Sequence, residues 1–146
     1  MSLRLRAVHT EQVHTHLCRA YPDEGCGVLV GRDEGSERIV ERVITLDNRR
    51  EDERSRRYLI PPEELLVVER DAREAGLDVL GFFHSHPDHP ARPSAFDLEH
   101  AWPYYSYLIV SVEQGRVASA ASWRLAPDRT RFEPETIEYT PATASP

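Results

Sequence analysis

The chain carries His84-Ser85-His86-Pro87, then Ser94 after seven intervening residues from His86, and Asp97 after two more. Two imidazoles and a carboxylate on one short stretch are the ligand types of a catalytic zinc that keeps a fourth position open for water. A metal held in this way acidifies water and polarises a carbonyl, so the stretch points to metal-assisted hydrolysis. Such hydrolysis needs a base for the water proton, a role that carboxylates serve. Glu24, within Tyr21-Pro22-Asp23-Glu24-Gly25-Cys26-Gly27, is the candidate, and Asp23 is an adjacent competitor that sequence barely separates from it. Each half of the downstream motif also has an ordinary explanation. A lone His-x-His is commonly a solvent pair, and Ser94-Ala95-Phe96-Asp97 fits a helix-capping box in which Asp97 reaches back to the Ser94 amide. Both halves together, joined by a loop holding Pro87, Pro90 and Pro93, favour the metal.

These residues need elements to position them. Residues two apart on a strand share a face, so an apolar strand over 78–84 that delivers His84 and His86 lets both reach one ion. Asp97 then arrives from a short helix starting at Ser94 and running to about Trp102. Gly81 suits close approach of another backbone behind the strand. Upstream, alternation over 3–8 predicts an edge or half-buried strand. Thr10 is read as the cap of a helix to about Ala20, with Val13, Leu17 and Ala20 on one face, ended by Tyr21-Pro22. A buried strand over 27–30, a turn at 33–36 and a β-rich segment over 38–46 follow. Residues 47–57 are almost wholly polar and predict a loop, one suited to ordering over a substrate. Pro62 with Glu63 and Glu64 opens a second helix, whose stripe is Leu65, Val68, Ala72 and Ala75 and whose stop is Gly76. Strands over 105–112 and 116–125 form a hairpin through Glu113-Gln114-Gly115, a last strand spans 131–139, and 141–146 is a frayed tail. The resulting expectation is one α/β domain over 1–140 with a mixed sheet.

Composition narrows the function. The chain of 146 residues suffices for one core, and its formal charge of −7 argues against a nucleic-acid binder, which would carry a basic face. No apolar run approaches the ~20 residues of a membrane span, and the first residues lack a signal-peptide core, so a cytoplasmic setting is expected. Cys18 and Cys26 form no C-x-x-C pair and are expected as inert buried thiols. All 18 basic residues are arginine, so no side-chain amine here accepts an isopeptide-linked modifier. His9, His14 and His16 are expected at the solvent or the rim of the core. His89 is a candidate for lining a substrate groove, by position alone. His100 is either a neighbour of the site or an exposed helix residue. Trp102, Tyr104, Tyr105 and Tyr107 read as core and sheet residues, and the acid-rich 133–138 stretch as a solvated strand face.

Glu24, His84, Ser85, His86, Pro87, Ser94 and Asp97 together make the chain resemble the JAMM/MPN+ metalloprotease family (Mov34/PAD-1). Glu-Gly-Cys-Gly-Val-Leu-Val-Gly and the stretch from Gly81 to Val112 are similar to the compact prokaryotic members in particular. The resemblance implies a cytidine-deaminase-like fold with a central mixed β-sheet flanked by α-helices. It implies Zn2+ held by His84, His86 and Asp97, Glu24 as general base, Ser94 as an oxyanion helper and Ser85 in a supporting role. The activity implied is hydrolysis of the amide or isopeptide bond after the C-terminal Gly-Gly of a ubiquitin-like or sulfur-carrier protein. The leaving group would be either a cysteine or a lysine-linked protein. Selectivity for a polyubiquitin linkage is not expected in so compact a chain. Two other readings compete: a non-catalytic MPN-type scaffold that only binds proteins, and another zinc hydrolase on a deaminase-like fold. Scaffolds usually lose ligands and none is missing here; the deaminase signature of His-x-Glu with Pro-Cys-x-x-Cys is absent.

Overall fold

The structure, a computed structural model, describes residues 1–47 and 60–141. Ten elements follow one another: β1 (Ser2–Arg6), α1 (Ala7–Ala20), β2 (Cys26–Asp33), β3 (Glu37–Leu46), α2 (Pro62–Glu74), β4 (Asp78–Pro87), α3 (Ala95–His100), β5 (Ser106–Glu113), β6 (Arg116–Leu125) and β7 (Phe132–Thr140). The sheet is mixed, as expected, and β4 pairs with β5 in parallel, the two being joined by the crossover that contains α3. Its order is β1-β3-β2-β4-β5-β6-β7, and it closes on itself. The first strand is therefore not an edge. It pairs in parallel with β3 on one side and β7 on the other. The loop expected over 47–57 lies outside the described residues from position 48 on, as does the expected tail from position 142.

Alternation along the strands sends side chains to two faces. On one, Leu29, Leu80, Phe83, Leu108 and Val110 pack with Val13 and Leu17 of α1. On the other, Val28, Val30, Phe82 and Tyr107 pack with Val68 and Ala72 of α2. Glycines at two positions permit this packing. A Cβ on Gly27 would lie 2.2 Å from the Phe83 ring, and one on Gly81 would lie 1.9 Å from the Ser106 carbonyl of β5, the backbone neighbour that the sequence anticipated.

Helix α1 starts a turn earlier than expected. Its N-cap is Arg6, without a side-chain cap, so Thr10 lies inside the helix rather than capping it. The reason is His9: it is buried with Val13 and Leu17, and positions 9, 13 and 17 extend the apolar stripe backwards into the chain leaving β1. His9, expected at the solvent or at the rim of the core, is thus buried within it. Helix α2 begins at Pro62 as expected and ends in a Schellman pattern, with the Leu77 amide bonded to Ala72 O at 2.8 Å and Gly76 at φ 74°. Ala75, expected in its core stripe, is exposed as the C-cap. The 113–115 hairpin turn has positive φ at Gln114 and Gly115, a primed turn that matches strand twist.

Candidate metal centre

Strand β4 does not stop at His84 but continues to Pro87, so the His-Ser-His triplet lies within the sheet. His84 pairs with Ile109, Ser85 with Val110 and His86 with Ser111. The register places His84 and His86 on the same face as Phe82, which is the α2 and α3 side, while Ser85 points the other way. There the Ser85 hydroxyl accepts the Gly25 amide at 2.9 Å, and the Ser85 amide donates back to Gly25 O at 3.1 Å. Cys26 is registered against His84, so this Gly25–Ser85 pairing sets Glu24 opposite His86. Residues opposite one another across a ladder share a face. Glu24 is buried, 2% exposed, and lines one cleft with His86 and Ser94.

Helix α3 is shorter than expected, Ala95–His100, and brings Asp97 onto the two histidines. His84 Nε2 lies 3.2 Å from His86 Nε2, His86 Nε2 lies 3.1 Å from Asp97 Oδ2, and His84 Nε2 lies 3.3 Å from Asp97 Oδ1. The capping box is also present. The Asp97 amide donates to Ser94 Oγ at 3.1 Å and the Ser94 amide donates to Asp97 Oδ2 at 2.8 Å. The two explanations of Ser94 and Asp97 are thus simultaneous: the box orients the carboxylate that meets the imidazoles. Because Ser94 Oγ accepts in the box, its own O–H remains available as a donor.

The chemistry of this donor set fits a cation. His86 Nδ1 faces Pro90 O at 2.9 Å; a carbonyl only accepts, so Nδ1 carries a hydrogen and Nε2 is the ring nitrogen turned toward the other two groups. Burial pushes the His84 imidazole below its ordinary value, against the pull of the Asp97 carboxylate. Burial alone would raise the Asp97 carboxyl, but the His84 and His86 rings and the Ser94 amide hold it well below the usual carboxylate range. The Nε2 atoms of His84 and His86 and the Asp97 carboxylate converge on a common point, where a cation would take one donor atom from each. A tetrahedral ion with ligands at ~2.0–2.1 Å separates neighbouring donor atoms by about 3.3 Å, close to the spans found. Among the described residues, His84, His86 and Asp97 form the one such group of potential ligands.

The loop between His86 and Ser94 is held from behind by residues that the sequence reading missed. Three successive carbonyls each accept a side-chain bond from a different strand. His89 O takes Ser111 Oγ–H from β5 at 2.6 Å, Pro90 O takes His86 Nδ1–H from β4, and Ala91 O takes Trp123 Nε1–H from β6 at 3.2 Å. At the loop's start, Asp88 accepts Tyr21 O–H at 2.6 Å and the Gln114 amide at 2.9 Å. These donors hold the Asp88 carboxyl below its ordinary value, and the same bond raises the Tyr21 phenol. The available signal was Ser111, a hydroxyl interrupting the apolar run Leu108–Val112, since a buried hydroxyl needs a partner.

Two clefts adjoin the ligand trio. One, of about 340 Å³, contains Glu24, His86, His89, Arg92 and Ser94. The other, of about 840 Å³, is bounded by His84 and Asp97 and lined by rings that include Phe96, Trp102, Tyr104 and Tyr105. Tyr107 is buried as expected, but Trp102 is 61% exposed and Tyr104 50% exposed, so these two are cleft residues rather than core. His89 lines the smaller cleft. His100 is exposed and stacks on Phe96, with ring centroids 4.1 Å apart. His16 is partly buried, its Nε2 at 3.0 Å from both Cys26 O and Leu46 O. Cys26 is buried and free, and burial and nearby carboxylates push its thiol up to about 12; Cys18 is also free and partly buried. In the 133–138 stretch Glu135 departs from expectation, being buried against Arg124 and Ser122. No helix among the described residues is long and apolar enough to cross a membrane.

Comparison with known proteins accords with this geometry. Residues 6–126 match the family model described as prokaryotic homologs of the JAB domain. The desampylase of Haloferax volcanii is 40% identical over 103 residues, 70% of either chain. The CysO-cysteine peptidase of Mycobacterium tuberculosis is 34% identical over 137 residues, covering 92% of this chain and 90% of that one. A solution structure of a Desulfitobacterium hafniense protein superposes with a TM-score of 0.83 at 35% identity, over 99% of this chain and 96% of the other. With its matched segment spanning most of its length and both halves of its site brought together, the chain belongs to the prokaryotic JAB-domain family.

Proposed function

We propose that this protein is a zinc-dependent peptidase or isopeptidase. Its reaction is hydrolysis of the amide bond after the C-terminal Gly-Gly of a ubiquitin-like or sulfur-carrier protein. The observation that carries this reading is the convergence of His84 Nε2, His86 Nε2 and Asp97 within 3.1–3.3 Å, beside a cleft that holds Glu24 and Ser94. The names of the similar proteins, a desampylase and a CysO-cysteine peptidase, support the substrate class. Zinc would be held by His84, His86 and Asp97, and when bound it supplies Lewis acidity toward the scissile carbonyl and toward water. Glu24 takes the proton of the attacking water and returns it to the leaving amine, so one buried carboxylate serves both halves of the reaction. The Ser94 hydroxyl, whose lone pair already serves the capping box, donates its hydrogen to the oxyanion as the carbonyl becomes tetrahedral. Ser85 keeps the Glu24 segment in register with β4.

The reading treats residues 1–140 as the catalytic domain. A mixed sheet with helices on both faces supports its placement in the cytidine-deaminase-like class, here with the sheet closed. Two free cysteines support a cytoplasmic setting. The test is metal analysis followed by Glu24→Gln. Bound zinc with cleavage of a Gly-Gly-linked carrier in wild type, and retained zinc with kcat lower by ~10²–10⁴ in the variant, is the expected result. Ser94→Ala should lower kcat by about 10²–10³. Bound zinc without any cleavage of carriers would favour a protein-binding scaffold.

A further inference from the structure

We propose that Arg92 is a specificity residue that recognises the free carboxylate of a single amino acid as leaving group. The site then favours release of a C-terminal residue over cleavage of a lysine-linked conjugate. This inference rests on the proposed function and adds the leaving group to it. Its first support is the placement of the two clefts. The group that protonates the departing amine must lie on the leaving-group side, and Glu24 lines only the smaller cleft. The carrier's tail is thereby assigned to the larger aromatic cleft bounded by His84 and Asp97. The smaller cleft, about 340 Å³, suits a single amino acid rather than a folded partner.

The second support is charge. Among the described residues Glu24 is the one acidic side chain lining this small cleft, and Arg92 and His89 line it with Glu24. In a C-terminal residue the carboxylate carbon is only about 2.5 Å from the departing nitrogen. It therefore stays within the cleft when that nitrogen meets Glu24. A guanidinium pairs with a carboxylate through two parallel N–H donors. In an isopeptide the departing ε-nitrogen is followed by four methylenes and carries no such anion. The third support is rigidity. The carbonyls of His89, Pro90 and Ala91, the three residues before Arg92, are each held by a side chain, and Pro93 follows. The base of the Arg92 side chain is thus fixed, so less ordering is required when it binds.

Hydrolysis stays balanced in this scheme. The C–N bond breaks, water supplies the oxygen of the new Gly-Gly carboxylate, and its proton passes through Glu24 to the amine of the released residue. The test uses the zinc-loaded full chain with two substrates: a carrier ending Gly-Gly-Cys with a free carboxylate, and the same carrier ending in the Cys carboxamide. Wild type should favour the acid by about tenfold in kcat/KM, expressed mainly in KM, the scale of one hydrogen-bonded charge. Arg92→Gln should bring the two substrates together by slowing the acid, and Arg92→Lys should keep part of the preference. Arg92 is exposed, so both variants should fold, with melting temperatures as a check. Equal wild-type rates on acid and carboxamide, or an equal loss on both in Arg92→Gln, would overturn the inference while leaving the proposed function standing. Absence of cleavage of either substrate by zinc-loaded wild type would overturn both.

Discussion

At the start of β4 and β5, Arg38 lies buried and Arg124 half-buried beside the carboxylates of Asp33 and Glu135; at the other end of β4, the Asp97 carboxylate lies beside two imidazoles. Both ends gather charge inside one small fold. At the first, Arg38 donates to Leu80 O at 3.0 Å and Ser106 Oγ at 2.9 Å and packs over the Tyr104 ring, while Ser122 donates to Glu135 at 2.8 Å. That cluster carries its own cations. At the second end, among the described residues, a carboxylate converges with two imidazole nitrogens, a donor set that a cation bound from outside the chain would satisfy. Buried polarity alone therefore does not distinguish a functional centre from a structural one. The sign balance does, because burying an uncompensated charge is costly and a fold retains the arrangement only where something neutralises it.

The largest effect should come from removing that external charge. Chelation should abolish cleavage and lower the melting temperature, and zinc at about 1,000 times its Kd should restore roughly 4 kcal/mol. Asp97→Asn should keep the capping contact to the Ser94 amide but lose the zinc-dependent rise in melting. A wild type that melts identically with chelator and with zinc would break the contrast between the ends. Next in size, Arg124→Met should cost about 3–5 kcal/mol, because Glu135 is left buried without its cation. Denaturant melts should show that cost unchanged by zinc, and Arg124→Met with Glu135→Leu should recover much of it. Smaller still, Trp123→Phe removes the donor to Ala91 O and should cost about 1 kcal/mol. It should also weaken zinc binding by less than tenfold, measured by competition with a chromogenic chelator. The smallest test concerns Cys26, whose thiol is pushed up to about 12. At pH 8 the native protein should take no more than one alkylating label, at Cys18, and the denatured protein two, counted by intact mass.

How much of this could be read from the chain follows the range of the interactions. The placement of His84, His86, Ser94 and Asp97 was legible because strand alternation and a helix cap are local rules, whereas Glu24 was separated from the adjacent Asp23 only by the family resemblance. The Thr10 cap failed because a local signal competed with the His9–Val13–Leu17 stripe, which the core decides. Glu135 looked solvated because nothing nearby reveals that Arg124, across a β6–β7 ladder, turns inward to meet it. Ring size predicts burial only on average, and Trp102 and Tyr104 line an open cleft instead of the core. The clamp on the 87–93 loop draws on β4, β5, β6 and the end of α1 at once, a convergence that no spacing encodes.

The closure of the sheet by β1 has a consequence for how the protein comes to be folded. Leu3 pairs with Arg38 and with Ile137, so β1 cannot complete its pairing until β7, far along the chain, has been made. Until then its second seam is open, and β7 has a free edge that another chain could occupy. Joining segments so far apart costs loop-closure entropy before any contact repays it, which sets a slow final step relative to the local hairpins. Removing either β1 or β7 would leave that seam unsealed.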